Sequence, residues 1–206
     1  MEILAHRGYW KKKGEQNTMA AFERAINFGF GIETDIRDFD GNLVIAHDLP
    51  NKNSIKFSKL LHLILKSKKK ICLALNIKSD GLLNLIKREK NLNKIEYFLF
   101  DMSIPQQKIF NDSNLKYFVR TSEIEKNIKK SKAKGVWVDT FFKIWYKKND
   151  LKNLKFNQLA IVSCELHKRK NYSKQWKMLK KLNLNKRLFI CTDYPYKANH
   201  FFNEQI

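Results

Sequence analysis

The sequence predicts an α/β protein folded as a (β/α)8 TIM barrel, in one domain that spans residues 1–206. Short apolar runs rich in β-branched and aromatic residues recur eight times along the chain, and amphipathic stretches separate most of them. Strands that alternate with helices indicate βαβ units and a parallel sheet. Because a barrel of this class usually has about 250 residues, a chain of 206 residues leaves room only for short insertions.

The eight predicted strands are short, and polar or turn-forming residues bound them. A β-hairpin follows the second strand, because Asp40-Gly41 is a typical two-residue turn and Leu43–Ala46 brings the chain back. In chain order the strands are Glu2–Ala5, Gly31–Ile36, Ile71–Ile77, Tyr97–Phe100, Lys116–Val119, Gly135–Val138, Leu159–Ser163 and Leu188–Cys191.

Helices are predicted between most of these strands. In the first of them Met19, Phe22 and Ile26 recur at the three- and four-residue spacing of a buried helix face. The weakest unit lies between the sixth and seventh strands, where Phe141–Asp150 has a poor helical pattern. We expect no helix long enough to close the barrel after the last strand. The predicted helices are Thr18–Phe28, Phe57–Lys66, Gly81–Lys90, Ile104–Phe110, Glu123–Lys132 and Gln175–Leu182.

The chain carries a formal net charge of +21, which is its most unusual bulk property. Such an excess of lysine favours an anionic partner: nucleic acid, a membrane surface or a phosphate-bearing substrate. Alternatively, the lysines only solvate helix faces in the product of an AT-rich genome, since Lys, Asn, Ile and Phe are all abundant and no long basic tail is present. Both explanations stay open.

Cysteine usage and the absence of long apolar runs indicate the compartment. Cys72, Cys164 and Cys191 lie far apart in or beside apolar runs, so we expect buried free thiols. The chain starts with MEILAHRG, which lacks the basic and apolar regions of a secretory signal, and no run reaches the roughly 18 apolar residues of a membrane span. We therefore expect a cytoplasmic protein.

Residue types used in catalysis are concentrated near the start of the chain. His6 and Arg7 follow the first strand, Glu33 and Asp35 lie two residues apart in the second, and His47 follows the hairpin. Side chains at i and i+2 of a strand point the same way, and the carboxyl ends of barrel strands converge on one mouth. We therefore expect these five side chains to face one another.

These residue types suit a phosphodiester reaction. Two neighbouring carboxylates repel each other unless a cation lies between them, and a hard divalent ion is the usual solution. Two histidines can divide the duties of general base and general acid, and the planar guanidinium of arginine matches phosphate oxygens. Each signal is weak alone, so the argument depends on their joint order and spacing.

That joint pattern closely resembles the glycerophosphodiester phosphodiesterase family, whose signature is H-R-G, E-N-T before a helix, G-x-x-x-E-x-D, and D-G-x-x-V-x-x-H-D. The chain has AHRGYW, GEQNTMAAFERA, GFGIETDIRD and DGNLVIAHD at the corresponding places. Gln16, inserted between Glu15 and Asn17, is a departure, and the resemblance is dense only over residues 3–48. It implies a barrel of the phosphodiesterase type that hydrolyses a glycerophosphodiester-like substrate to an alcohol and a phosphomonoester.

The resemblance also implies roles for individual residues. Glu33 and Asp35 would bind a divalent metal, Mg²⁺ or Ca²⁺, and Arg7 would bind the phosphate. His6 and His47 would be the catalytic acid–base pair. The family pattern favours attack by a hydroxyl of the substrate's own alcohol through a cyclic phosphate, with direct attack by water as the alternative.

Two further positions differ from or extend the family pattern. Glu15 would touch the metal or orient Arg7. The family's third metal ligand is a glutamate in an E-x-K pattern of the third strand, where this chain has Asn76 and Lys78. An amide oxygen still ligates Mg²⁺ or Ca²⁺, but the site loses one negative charge, so we expect weaker metal affinity. Lys78 is a candidate phosphate ligand; alternatively, the two residues are a capped strand end and a surface lysine.

The mouth of the predicted barrel lacks a cover. The family commonly carries a long insertion after its His-Asp pair, which forms a small cap. Here only Leu49–Lys56 precedes the next helix. We therefore expect an open, shallow mouth that admits a substrate larger than a small glycerol diester.

Other polar residues follow the later strands, at the same predicted mouth. Glu165 and His167 follow the seventh strand and Asp193 follows the eighth, so all three are candidate substrate contacts. Weaker candidates at the ends of other strands are Asp101, Arg120 and Asp139.

Three other functions stay open. Phospholipase D-type enzymes share the barrel and the histidine pair, so a lipid, polymer or nucleotide-linked diester is an alternative substrate. A non-enzymatic barrel could use its basic charge on nucleic acid or an anionic membrane; no nucleic-acid recognition motif is present, so we expect only peripheral membrane contact. A barrel that has lost catalysis would explain Asn76, although it would have no chemical need for both histidines beside Arg7 and two carboxylates. No feature indicates an oligomeric state.

Overall fold

The computed structural model describes residues 1–126 and 132–204 of the chain. Within these residues it contains one ten-stranded sheet and seven α-helices. The strands are β1 (Glu2–His6), β2 (Gly31–Phe39), β3 (Asn42–Ile45), β4 (Ile55–Lys56), β5 (Cys72–Ile77), β6 (Glu96–Phe100), β7 (Phe118–Thr121), β8 (Gly135–Val138), β9 (Gln158–Val162) and β10 (Arg187–Thr192). The helices are α1 (Met19–Asn27), α2 (Phe57–Ser67), α3 (Leu83–Arg88), α4 (Ile104–Asn111), α5 (Lys148–Asn153), α6 (Tyr172–Lys180) and α7 (Pro195–Asn203).

Eight of the strands are parallel and follow the order β6-β5-β2-β1-β10-β9-β8-β7. β3 pairs antiparallel with β2, and β4 pairs antiparallel with β3. The two ends of the parallel series meet at a bridge between Leu99 of β6 and Tyr117, where the Leu99 N–H donates to the carbonyl of Lys116 at 2.9 Å. The mostly parallel α/β fold that the sequence predicts is therefore confirmed.

All eight predicted strands are present, with their ends within three residues of the predicted ones. The largest difference is in β2, which continues past Ile36 because Asp38 and Phe39 still pair with β3 across the hairpin. β4 was not predicted, since two residues are too short to show an alternating pattern.

Most predicted helices are also present. Helices α1, α2, α4 and α6 cover the expected segments, whereas Gly81–Lys90 forms the shorter α3 followed by a 3₁₀ helix over Lys90–Lys94. Half of the predicted helix Glu123–Lys132, residues 127–131, lies outside the described residues, and the part of it over 123–126 is not helical. There the Ser122 hydroxyl accepts the backbone N–H groups of Ile124 and Glu125 at 3.2 and 3.1 Å, so that a local turn takes the place of a helix.

Between β8 and β9, the helix begins further along the chain than the weak pattern over Phe141–Asp150 predicted. α5 begins only at Lys148. Upstream of it the chain is a loop that Glu123 holds, because its carboxylate accepts the backbone N–H groups of Phe141 and Lys143, each at 3.1 Å. A side chain from the preceding loop thus replaces helical hydrogen bonds here.

The expectation that no closing helix follows the last strand is wrong. α7 begins at Pro195, whose fixed φ suits the first turn of a helix, and its Ala198 is fully buried. Phe201 and Phe202 pack on Trp176 of α6, with ring centroids 5.8 and 5.6 Å away. The helix depends on these aromatic contacts more than on the three- and four-residue periodicity that the prediction used.

An inner core lies among the parallel strands, apart from the core between strands and helices. Phe98 stacks on Phe118 and Phe100 on Trp137, with 3.8 Å between the ring centroids of each pair. Gly135 gives this stack its room, because a Cβ there would lie 2.6 Å from the Phe118 ring. Trp137 is therefore a packing residue.

Ion pairs cover the amino-terminal end of this inner core. The Arg187 guanidinium at the start of β10 donates through Nη2 to Glu2 of β1 at 2.7 Å and to Glu96 of β6 at 3.1 Å. Its central carbon lies 4.7 Å from the centroid of the Phe189 ring below it. Because these charges satisfy one another, this end of the strands serves packing, and the polar residues of the predicted site lie at the opposite end.

The cysteines are buried free thiols, as expected. Burial raises the pKa of Cys191 well above its ordinary value, so this thiol stays protonated. Among the described residues, no helix is both long enough and apolar enough to cross a bilayer.

Candidate functional site

The predicted site residues lie at the carboxyl ends of adjacent parallel strands. The strand register pairs His6 of β1 with Glu33 of β2, and Asp35 of β2 with Asn76 of β5. Glu33 is 2% exposed and Asp35 is 1% exposed, so both carboxylates are withdrawn from water. The site is therefore assembled where β1, β2 and β5 end.

The turn after β1 places Arg7 against Glu33. Arg7 and Gly8 have positive φ values of 60° and 84°, and the Arg7 N–H donates to the Glu33 carbonyl at 2.8 Å and to its Oε2 at 3.2 Å. A Cβ on Gly8 would lie 2.9 Å from the backbone carbon of Ala21 in α1. The close approach of α1, which only glycine allows, thus fixes Arg7 beside the two carboxylates.

Asp35 is the centre of a cluster of donors. Lys78 Nζ lies 3.3 Å from Oδ1, and Arg7 Nε lies 3.2 Å from Oδ2. The Arg7 contact is an ion pair without hydrogen-bond geometry, so this nitrogen is buried with no hydrogen-bond partner. Burial raises the pKa of Asp35, but the charges of Lys78 and Arg7 and a hydrogen bond from Asn17 outweigh it and hold the pKa below its ordinary value. Asp35 is therefore the permanently ionised member of the pair.

Asn17 belongs to the site, although its position just before the first helix is equally typical of a residue that caps a helix. Its Nδ2 donates to Asp35 Oδ2 at 2.9 Å, and its Oδ1 accepts from the Thr34 hydroxyl at 2.8 Å. A φ of 59° turns this side chain inward, while Thr18 caps α1 by accepting from the Ala21 N–H at 3.3 Å. The only available signal was the N-T pair before the helix, and capping explained it equally well.

Glu33 differs sharply from Asp35 in its ionisation. Burial and the charge of Asp35 raise the pKa of Glu33 from 4.5 to about 7, despite the opposing charges of His6, Arg7 and Lys78. Two carboxylates on one strand thus have separated pKa values, an arrangement found where one group must change protonation during function.

His6 is held on both sides by carboxylates. Its Nδ1 lies 2.7 Å from Asp193 Oδ1, and its Nε2 lies 3.9 Å from Glu33 Oε2. Burial lowers the pKa of His6, but the hydrogen bond to Asp193 and the charges of Glu33 and Asp193 outweigh it, so that the pKa lies above its ordinary value. The structure therefore places Asp193, a predicted substrate contact, on His6 itself.

Glu165 lies behind Asp193. Its carboxylate accepts the hydroxyls of Ser163 and Thr192, and also the Asp193 N–H at 3.2 Å. Burial raises the pKa of Glu165 in spite of these hydrogen bonds. Glu165 thus holds the turn that carries Asp193, and its own carboxylate is taken up by protein donors.

His167 forms a separate pair on the opposite strands. Its Nε2 lies 2.6 Å from Asp139 Oδ1, and the Phe141 ring lies 4.9 Å from the imidazole. Asp139 follows β8 and His167 follows β9, so this pair faces the same end of the sheet as His6 but belongs to other loops.

His47 is the most exposed member of the predicted set. Its side chain is 42% exposed, and its Nδ1 lies 2.8 Å from the carboxylate of Asp48. Arg37 donates to the His47 carbonyl at 3.2 Å through Nη2, and the Ala46 N–H donates to the Asp35 carbonyl at 3.1 Å. The loop thus starts at the level of Asp35, and the charge of His47 contributes to the low pKa of Asp35.

Glu15 lies outside the cluster, in contrast to the role that the resemblance implied. Its Oε2 accepts from Arg24 at 3.1 Å and from the Lys11 N–H at 2.9 Å. With Gln16 inserted after it, Glu15 secures the loop before α1, and Asn17 supplies the polar contact to Asp35 instead.

The residues proposed to hold a metal fit that role in donor type. Asn76 is 8% exposed, and its Oδ1 is buried with no hydrogen-bond partner, beside Asp35 in the register. Two carboxylates and one unpartnered amide oxygen are hard ligands of the kind that Mg²⁺ and Ca²⁺ accept. Within residues 1–126 and 132–204 no group of three or more His, Cys, Asp or Glu side chains is placed to hold a metal, so the amide of Asn76 would have to complete the ligand set.

The fold and the clustered histidine, arginine, lysine and carboxylate side chains define an α/β protein with a polar site at the ends of its parallel strands. A similar solved structure is that of a phosphodiesterase from Oleispira antarctica in complex with the product sn-glycerol-3-phosphate. The TM-score is 0.60 at 14% sequence identity, and the match covers 99% of this chain and 97% of that one. The likeness shows a common fold. No protein-family model matches the chain, and no curated protein matches it either.

Proposed function

We propose that the protein is an enzyme that hydrolyses a phosphodiester by acid–base catalysis. The observation that carries the proposal is the setting of His6, with Asp193 at Nδ1 and Glu33 beyond Nε2, next to the cations that surround Asp35. The residue pattern over 3–48, which resembles the glycerophosphodiester phosphodiesterase family, supports it. So does the structural likeness to a phosphodiesterase whose bound product is a glycerol phosphate.

We also infer that the eight parallel strands close into a (β/α)8 barrel. The bridge between Leu99 and Tyr117, where the two ends of the series meet, supports closure, as do the stacked rings that fill the space among the strands. In such a barrel the loops after the strands surround one site. His167 and Asp139 would then lie across that site from His6 and contact the substrate's alcohol.

Arg7 and Lys78 suit the binding of a phosphate anion. Both lie within 3.3 Å of Asp35, so their charges are concentrated at one point that is mostly shielded from water. Arg7 Nε has no hydrogen-bond partner, so it and the other N–H groups of the guanidinium are donors that a phosphate oxygen could use. A phosphoryl group that binds here would meet fixed positive charges where negative charge develops during the reaction.

His6 and His47 are the proton-transfer groups of this proposal. Each has an aspartate at Nδ1, Asp193 for His6 and Asp48 for His47, which leaves Nε2 as the atom that takes or gives a proton. One histidine would remove the proton of the attacking hydroxyl, and the other would protonate the departing alkoxide. The raised pKa of His6 favours its protonated form and hence the role of the acid.

A divalent cation, Mg²⁺ or Ca²⁺, completes the proposal, held by Glu33, Asp35 and the Asn76 amide oxygen. When bound, it would polarise the phosphoryl group and lower the pKa of the attacking hydroxyl. Glu33 suits this role because burial and the neighbouring charge of Asp35 raise its pKa, and a cation bound between the two carboxylates would offset both effects.

The test is hydrolysis of bis(p-nitrophenyl) phosphate and of a panel of glycerophosphodiesters, lipid diesters and nucleotide-linked alcohols, with Mg²⁺ or Ca²⁺ present. His6→Ala and His47→Ala should each lower kcat about 100-fold or more, the range that a positioned acid–base group contributes. His62→Ala, on the exposed face of α2, is the matched control and should be fully active. Wild-type protein that hydrolyses none of these diesters would refute the proposal, and an active His6→Ala would remove His6 from it.

Chelation tests the metal separately. Exhaustive treatment with EDTA should abolish hydrolysis, and Mg²⁺ or Ca²⁺ should restore it. Direct metal titration of wild-type protein and of Asp35→Asn gives a second readout, since the variant should bind more weakly. Activity that survives chelation would refute the metal and leave the acid–base reaction standing.

A further inference from the structure

Large apolar side chains are exposed on loops at the end of the molecule where the parallel strands finish. They form what is here called the apolar rim, and their exposed fractions are far above those of core residues. The members are Phe39 at 36%, Leu49 at 86%, Ile104 at 70%, Ile124 at 69% and Phe142 at 74%.

The rim is drawn from five separate places in the chain. Phe39 ends β2 at the hairpin, Leu49 lies in the loop after β3, and Ile104 starts α4 just after β6. Ile124 and Phe142 lie in the loops after β7 and β8. Since β2, β6, β7 and β8 belong to different parts of the parallel series, the rim residues are spread along the end of the sheet that carries the site instead of forming one patch.

The opposite end of the strands is different. In the loops that precede the strands, the described residues expose one comparably large apolar side chain, Phe28. Its ring packs on those of Tyr9, Phe30 and Tyr196, with centroids 5.3, 5.6 and 5.8 Å away. Large exposed apolar side chains in the loops are therefore more numerous at the end that carries the site, where Phe142 has one ring contact, with Phe141 at 6.4 Å between centroids.

Basic side chains accompany the rim. Lys11, Lys12 and Lys13 are exposed on the loop after β1, Lys52 on the loop after β3, and Lys143 next to Phe142. The whole chain has a net charge of +21, so the molecule as a whole is attracted to an anionic surface, although the exposed Asp38, Asp40 and Asp48 flank Phe39 and Leu49. In an anionic bilayer the headgroups form a charged outer layer over the hydrocarbon region. Apolar side chains on these loops would insert into the boundary of the hydrocarbon region, while the lysines between them contact the headgroups.

A cavity of about 560 Å³ at the ends of β5, β6 and β7 is lined by residues of both the site and the rim. Lys78 of the site and Ile104 of the rim line it, together with the ion-paired Asp101 and Arg120 and six other residues. A group that enters between rim side chains would thus reach Lys78 without passing through the core.

We propose that this face docks on the surface of an anionic phospholipid bilayer, with the apolar rim inserted below the headgroups. The docking deepens the proposed function and rests on it for the substrate, which would be a phosphodiester headgroup presented by the bilayer. The insertion itself requires no catalysis. In this arrangement the apolar rim anchors the protein in the bilayer, the lysines attract the anionic headgroups, and the cavity receives one headgroup.

The experiment is co-sedimentation of the full chain with vesicles of pure phosphatidylglycerol and of pure phosphatidylcholine. The inactive variant His6→Ala is used beside wild type, so that turnover does not alter the vesicles. Binding to phosphatidylglycerol should greatly exceed binding to phosphatidylcholine. It should weaken when salt rises from about 0.1 M to about 1 M, because the screening length falls from about 10 Å to about 3 Å.

Rim variants identify the surface. Phe142→Ser and Leu49→Ser should each weaken binding to phosphatidylglycerol about tenfold, since each removes a partly inserted apolar side chain. Ile109→Ser, which changes a 46% exposed residue on α4 outside the rim, is the matched control and should bind like wild type. All three variants should keep the wild-type rate on a soluble diester.

Several results would overturn the docking. They are equal binding to both lipids, no binding, an equal loss in Ile109→Ser, or a rim that joins two copies of the chain in gel filtration. If vesicle binding fails while soluble diesters are hydrolysed, only the docking is wrong. If His6→Ala and wild type bind vesicles alike but wild type hydrolyses no diester, only the proposed reaction is wrong.

Discussion

His6 and Asp193 stand 187 positions apart in the chain and share a contact of 2.7 Å between Nδ1 and Oδ1. The contact joins the ends of β1 and β10, which are neighbours in the sheet. It decides which nitrogen of His6 faces the site and raises the pKa of the ring against the effect of burial. The proposed catalytic residue His6 therefore depends for its pKa on a residue that is distant in the sequence.

Asp193→Asn should uncouple this pair without removing a substrate contact. Loss of the carboxylate lowers the pKa of His6, so the limb of the pH–rate profile that reports His6 should move to lower pH. The rate should fall about 10- to 100-fold, part of what a positioned acid–base group provides. NMR titration of the His6 ring gives the same pKa without substrate. Asp112→Asn, on the surface after α4, is the control; an unmoved limb in Asp193→Asn would refute the role of Asp193.

Glu33→Gln should make the metal-free protein more stable while it abolishes activity. The folded-state pKa of about 7 exceeds the ordinary value of 4.5, so between these values the unfolded chain releases its proton first and the folded state loses stability as pH rises. Glutamine removes this penalty, which is about 3 kcal/mol at pH 8. Urea unfolding in EDTA measures it. The gain should vanish near pH 4, where Glu33 is protonated in both states; a gain of equal size there would contradict the explanation.

Asn76→Glu should tighten metal binding. The variant supplies a third carboxylate where a buried amide oxygen has no partner, and each added charge strengthens the pull on a hard cation. We expect the Kd for Mg²⁺ to fall about tenfold in calorimetric titration. Asn149→Glu, in the exposed first turn of α5, adds the same charge elsewhere and should leave the Kd unchanged. Equal effects of the two variants would mean that net charge, and not the site, determines affinity.

Gly8→Ala and Gly29→Ala form a matched pair, because both glycines have positive φ, 84° and 74°. At Gly29 a Cβ meets nothing within 4 Å, so only the backbone penalty of about 1 kcal/mol applies. At Gly8 the Cβ would also press on Ala21 at 2.9 Å, and the total loss of stability should reach about 3 kcal/mol. Urea unfolding compares the two. Similar losses of stability in the two variants would mean that α1 shifts to make room for the added Cβ and does not fix Arg7.

The sequence predicts the strands well because strands that are buried on both faces, such as β5 and β8, are almost continuous apolar runs. Amphipathic stretches separate these runs and make their ends visible. Prediction from the sequence fails where tertiary contacts replace local pattern. β4 exists only through its pairing with β3, and α7 through aromatic packing on Trp176.

The site shows the same division. The two-residue spacing of Glu33 and Asp35 predicts that both point inward, and both are buried side by side. The contact of Asn17 with Asp35 requires a positive φ that a non-glycine residue rarely adopts, and the bond from Asp193 to His6 spans nearly the whole chain. Neither depends on spacing along one element, so no periodicity reveals them.

The placement of β1 between β2 and β10 has a consequence for biosynthesis. During synthesis β1 gains its neighbour β2 early, but its other edge waits for β10, which is made after every other strand of the sheet. Through that interval the N–H and C=O groups that β1 directs to this side are open to foreign strands. The nascent chain is thus exposed to misassociation from the synthesis of β2 until that of β10, and chaperone dependence should be greatest just before Arg187–Thr192 emerges.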